Sequence, residues 1–154
     1  MNAVSAIKGE LKQVNSFIAK IVRNGSVTDF DAKYFTLELT DYPGFEGRTW
    51  TLRAVHTERV SEDKIVNKTI TIIVPYDAES GDFPISGTTK EIYVDYVDTS
   101  DSEPFIHVAE KGAVILILER RGDEVSTICG KLDVTVSSYG EPSFLISGDL
   151  YYSI

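Results

Sequence analysis

The chain of 154 residues contains one cysteine, Cys129, so no intrachain disulfide can form and no thiolate cluster can hold a metal. Histidine is nearly as scarce: His56 and His107 are the only imidazoles, and with Cys129 they exhaust the candidates for a transition-metal or thiol–imidazole site. No apolar run approaches the roughly 20 residues of a membrane-spanning helix. Lys8, Glu10 and Lys12 interrupt the N-terminal stretch where a secretory signal would place its apolar core, so a cytoplasmic location is expected. Positive charge is also in short supply. Fifteen Lys and Arg against 24 Asp and Glu give a net charge of −9, which leaves no broad basic face for nucleic acid. Gly-x-Ser-x-Gly elbows, phosphate-cradling glycine loops and His-Glu-x-x-His helices are all missing. A non-enzymatic protein without cofactors is therefore expected.

What is present is an ordinary globular balance, 42% hydrophobic and 25% charged, in a length suited to one domain with one core. A single domain over 1–154 is expected, with a helix at 3–23 and a β body at 28–154. Val4, Ile7, Leu11, Val14, Ile18 and Ile21 recur at 3/4 spacing and line one face of that helix. Lys20 and Arg23 suit its C-terminal dipole, and Asn24-Gly25 suits its end. Residues 1–25 carry a net +3, which leaves −12 on the rest: a basic amphipathic helix on an acidic body.

From Phe30 onward the period becomes 2, as in strands with one buried face. Phe35, Leu37 and Leu39 alternate in 34–40, Trp50, Leu52 and Ala54 in 49–57, and Ile70, Ile72, Val74 and Tyr76 in 69–76. The pattern continues through Ile92, Val94 and Tyr96, then Ile128, Leu132, Val134 and Val136, then Phe144, Ile146, Leu150 and Tyr152. Residues 113–118 are apolar on both faces, which predicts a strand covered on both sides, here by the helix. Residues 102–111 read equally as a short helix or a strand. Pro43-Gly44, Ser80-Gly81, Ser86-Gly87 and Tyr139-Gly140 supply turns. The expected fold is mainly β: the N-terminal amphipathic helix packed on an antiparallel β-sandwich or flattened β-barrel of about 7–8 strands.

Candidate sites follow from residue type. Tyr42, Phe45 and Trp50 surround a Pro-Gly turn, and Tyr139 marks the last hairpin; rings at loop ends offer flat, half-polar contact surfaces for a ligand or partner. Asp77, Glu79 and Asp82 crowd one turn, a weak calcium candidate without the spacing of an EF-hand. Asp95, Asp98, Asp101 and Glu103 crowd another. Arg121-Gly122-Asp123 reads as a two-residue hairpin turn of type II′ more readily than as an adhesion motif. His56 falls in phase with Trp50, Leu52 and Ala54, so it reads as a hydrogen-bonded inward residue, whereas Cys129 falls on the opposite face from its apolar neighbours.

The C-terminal third, from Gly112-Ala113-Val114-Ile115-Leu116-Ile117 through Ile128-Cys129-Gly130-Lys131-Leu132-Asp133-Val134 to Phe144-Leu145-Ile146-Ser147-Gly148-Asp149-Leu150, resembles the closing strands of small bacterial β-sandwich domains of unknown function. That resemblance implies the sandwich and carries no activity or site. The expected function is a binding module that meets a protein or small ligand at its loop ends. Charge −9 suits a basic partner, as for an acidic inhibitor or immunity-type protein. Two alternatives stand beside it. One is a membrane-active toxin using the helix, since a helix ahead of a β-sandwich resembles actinoporin-like pore formers in architecture. The other is a lipocalin-like barrel around an apolar ligand.

Overall fold

The computed structural model describes residues 14–86, 91–101 and 104–154. They form ten strands: β1 (Ser16–Arg23), β2 (Ser26–Asp31), β3 (Tyr34–Asp41), β4 (Arg48–Ser61), β5 (Lys64–Pro75), β6 (Gly81–Ile85), β7 (Tyr93–Asp98), β8 (His107–Arg121), β9 (Glu124–Ser137) and β10 (Phe144–Ser153). All pairings are antiparallel, in the order β2-β1-β10-β9-β8-β7-β5-β4-β3, with β6 also on β8. One sheet curls into a half-barrel, so the mainly β, antiparallel expectation holds while a two-sheet sandwich does not.

The helix expected at 3–23 is corrected over its second half. Residues Ser16–Arg23 are strand β1, the described residues contain no helix, and positions 1–13 lie outside them. Phe17, Ala19 and Ile21 alternate inward, each no more than 2% exposed, while Ile18 faces out at 56%. The 3/4 reading counted Ile18 and missed Phe17. Pairing with both β10 and β2 satisfies the backbone groups on both edges of the strand and buries the Phe17 ring, which outweighs a local helical period that Gly9 already weakens. Asn24 and Gly25, both at positive φ (54° and 77°), are the two central residues of a type I′ hairpin turn and not a helix end.

The strand beneath the supposed helix is corrected with it. Val114 and Leu116 are buried, but Ile115 and Ile117 are 49% and 53% exposed on the convex side. The ambiguous stretch 102–111 resolves in part, because β8 starts at His107. Gly122, at φ 62°, with Arg121 opposite Glu124, supplies the first central residue of the expected type II′ turn.

The two ends of the strand order lie close in the chain. β2 and β3 are joined by Ala32 and Lys33 alone. The Ala32 N–H donates to the Phe17 carbonyl on β1 (3.0 Å), and the Lys33 N–H donates to the Val55 carbonyl on β4 (2.7 Å). One stretch of chain thus leaves one sheet edge and joins the other, which draws the edges together. Curvature elsewhere uses glycine. Gly112, Gly130 and Gly148 face the concave side of β8, β9 and β10, and a Cβ on any of them would collide with the backbone of the neighbouring strand.

The concave face is filled by a single apolar cluster that includes Phe17, Phe30, Leu52, Ile70, Leu116 and Ile146. Its rows are set by register, with Trp50 opposite Val74, Leu52 opposite Ile72 and Ala54 opposite Ile70. The next row in the same phase pairs His56 with Lys68. There polar residues interrupt the apolar lining and a polar mouth begins, with Val66 the buried apolar residue beyond.

Candidate functional site

Each strand that reaches this mouth continues its inward phase with a polar residue. On β1 the series Phe17, Ala19, Ile21 leads to Arg23; on β5 Val74, Ile72, Ile70 is interrupted by Lys68 before the buried Val66; on β7 Val94, Tyr96 leads to Asp98. β8 contributes His107, which has no exposed surface. Arg23, Thr28, Lys68, Tyr96, Asp98 and Asp101 are among the residues around an open cleft of about 390 Å³.

The acids of the mouth are satisfied internally. Asp98, 6% exposed, accepts at Oδ1 from the Ser100 N–H (2.8 Å) and hydroxyl (2.6 Å), and at Oδ2 from the Tyr96 hydroxyl (3.1 Å). Burial first, and the Asp98 charge second, push the Tyr96 phenol above its usual range. Asp101 takes Arg23 Nη1 at both oxygens, 3.1 and 3.0 Å, and the Arg23 guanidinium lies 4.5 Å from the Phe144 ring centroid.

His107 packs on Phe144, 4.9 Å between centroids, with Nε2 3.9 Å from Asp101. Neither ring nitrogen has a hydrogen-bond partner among the described residues. Burial, then the nearby Arg23 charge, hold its pKa below the ordinary value. A neutral imidazole with no exposed surface does not meet a solvent-borne substrate.

Lys68 differs from every other charged group in the mouth. It is 9% exposed, it lines the cleft, and no carboxylate lies within ion-pair distance of it among the described residues.

The aromatic residues singled out from sequence do not form one site. Tyr42 packs on Phe45 (6.2 Å) and on Tyr93 (4.9 Å), on the convex side of the sheet, where Tyr93 also donates to Asp95 at 2.8 Å. Trp50 belongs to the opposite, concave side, 6% exposed and stacked on Tyr76 at 6.0 Å. Tyr139 projects freely from the β9–β10 loop. The 42–47 loop thus folds two of its rings against the sheet.

Asp77 lines a separate cleft with Glu46 and Arg48, while Asp82 lies on β6 opposite Ile115. Among the described residues no three His, Cys, Asp or Glu side chains come together in reach of one metal ion, so Asp77, Glu79 and Asp82 do not assemble the calcium site considered for them. His56 accepts the Asp31 N–H at Nδ1, 2.9 Å, as its inward phase implies. Cys129, paired with Ile117 and Tyr151, faces the convex side away from both imidazoles.

Sequence reasoning placed Arg23 at a helix end, Asp98 and Asp101 in an acidic loop and Tyr96 in an apolar strand face, and passed over Lys68 and the meeting of these residues. A signal existed for each: a charged residue continuing the inward phase of an apolar strand. No family model matches the chain, and comparison with curated proteins and with solved structures gives no match either.

Proposed function

We propose that this protein is a non-enzymatic binding module that receives its ligand at the polar mouth of the half-barrel. The observation that carries this reading is the change of lining along the concave face. Side chains fill that face from Trp50 to Ile70, and at the next row the wall turns polar around an open cleft bounded by the β1–β2 hairpin, β5, and β7 with the loop that follows it. Small-molecule sites have this character, a concavity with an apolar floor and a few converging polar groups. Apart from Lys68, the charged groups there are held by internal partners, and such preorganisation lowers the entropy lost on binding.

The filled interior weighs against a lipocalin-like barrel. The toxin reading loses residues 16–23 of its helix to β1, and no described helix is long and apolar enough to cross a membrane. The net charge of −9 supports a basic surface on any protein that docks around the mouth.

Amide chemical-shift mapping with a mixed set of small acids, amines and neutral aromatics tests the proposal. Shifts are expected at 23–28, 67–69 and 96–101. Shifts confined to the 42–47 loop or to the convex face would overturn it.

A further inference from the structure

We infer that Lys68 is the anchor for the carboxylate of a small organic monoacid bound in the mouth, an assignment that rests on the mouth being the binding site. A lysine whose stem is buried and whose ammonium opens on a cleft gains from a counter-charge or hydrogen-bond acceptor brought to it. Lys68 is nine-tenths buried on the cleft wall, and no carboxylate lies within ion-pair distance of its ammonium among the described residues. The nearby acids do not serve it. Asp98, its register partner on β7, is turned to Ser100 and Tyr96, Asp101 is held at both oxygens by Arg23, and Asp29 pairs with Lys20 at the surface and feels the Lys68 charge only at longer range. The missing partner is an anion from outside.

The surroundings narrow its chemistry. Two aspartates stand in the same wall, on a chain of net charge −9, so a dianion such as phosphate meets repulsion that a single negative charge offsets with Lys68 alone. Ser26 and Thr28 bring hydroxyls to the wall and the buried Ile21 and Tyr96 close its floor, so the cleft matches a carboxylate on a compact body.

Benzoate, its neutral isostere benzamide, and inorganic phosphate are the probes, titrated into the full chain and into Lys68→Met with amide shifts and calorimetry as readouts. Benzoate is expected to move the amides of 23–28, 67–69 and 96–101. It should bind at least tenfold more tightly than benzamide or phosphate, and at least tenfold more weakly to Lys68→Met. Equal binding of benzoate and benzamide at these amides would overturn the carboxylate assignment while leaving the mouth as the site. Benzoate affinity unchanged in Lys68→Met would do the same. Silence of these amides toward all three probes would remove the carboxylate assignment, and silence toward the wider mixed set would remove the mouth as well. The benzoate–benzamide comparison in the unmodified chain stands whether or not Lys68→Met folds.

Discussion

The backbone N–H of Asp31 donates to His56 Nδ1 at 2.9 Å, a bond between β2 on one edge of the sheet and β4 beside the other. With the Lys33 N–H on the Val55 carbonyl it fastens the two edges where the chain crosses between them. His56→Leu keeps the packing against Phe30 but leaves a part-buried donor unpaired, and is expected to cost about 1–3 kcal/mol in urea unfolding. Hydrogen exchange at the Asp31 amide should accelerate more than exchange in β9.

Curvature depends on the concave glycines. A Cβ at Gly148 would run into the Ile18 carbonyl and Ala19, and one at Gly130 into the Ile115 carbonyl. Backbone must give way in either case. Gly148→Ala and Gly130→Ala are each expected to destabilise by about 1–3 kcal/mol. Gly81→Ala, where a Cβ meets open space and φ is not positive, should change the unfolding midpoint little.

How much of this was visible in the residues can be judged strand by strand. β7 and β10 alternate in burial along their length, and in β4, β5 and β9 the inward apolar residues still follow from the period although Thr49, Thr51, Thr71, Ile73 and Thr135 on the other face are buried too. β1 was hidden because Val14, Ile18 and Ile21 happen to fit a helical spacing, although Asn24-Gly25 between alternating segments is a strong short-range hairpin signal. β6 is short and contains Pro84, which a strand paired with β8 alone tolerates. The mouth could not be assembled by inspection, since Arg23, Lys68 and Asp98 meet only through strand order. That Lys68 sits in phase with Val66, Ile70 and Ile72 was nonetheless readable.

The hairpin at Asn24-Gly25 yields its own test. With both residues at positive φ, Gly25→Ala forces a side chain into a left-handed conformation at a cost of about 1 kcal/mol. Because the turn adjoins Arg23, whose side chain lies on Asp101, the amide of Asp101 should shift in that variant while those of β9 do not.

Acid sensitivity should trace to His107. Its pKa in the fold lies below the ordinary 6.5, through burial and then Arg23, against the opposing pull of Asp101, Glu141 and Asp98. As pH falls below the ordinary value the unfolded chain takes up a proton that the native chain refuses. Stability is therefore full above that value and declines as pH drops toward the native pKa. Asp95 acts in the other direction at lower pH: burial raises its carboxyl above the ordinary 3.8, so the native chain binds that proton first and gains stability. Urea unfolding should show lower stability at pH 5.5 than at pH 7.5. His107→Phe, which keeps a ring between Tyr96 and Phe144 and removes the titrating group, should abolish most of that difference.

The most direct test of a ligand-binding mouth anchored by Lys68 is a crystal structure of the full chain grown with benzoate. The account predicts the carboxylate within hydrogen-bond distance of Lys68 Nζ, with the ring against Ile21 and Tyr96. Benzoate seated on the 42–47 loop, or a saturating soak that leaves the cleft beside Lys68 without it, would contradict that claim.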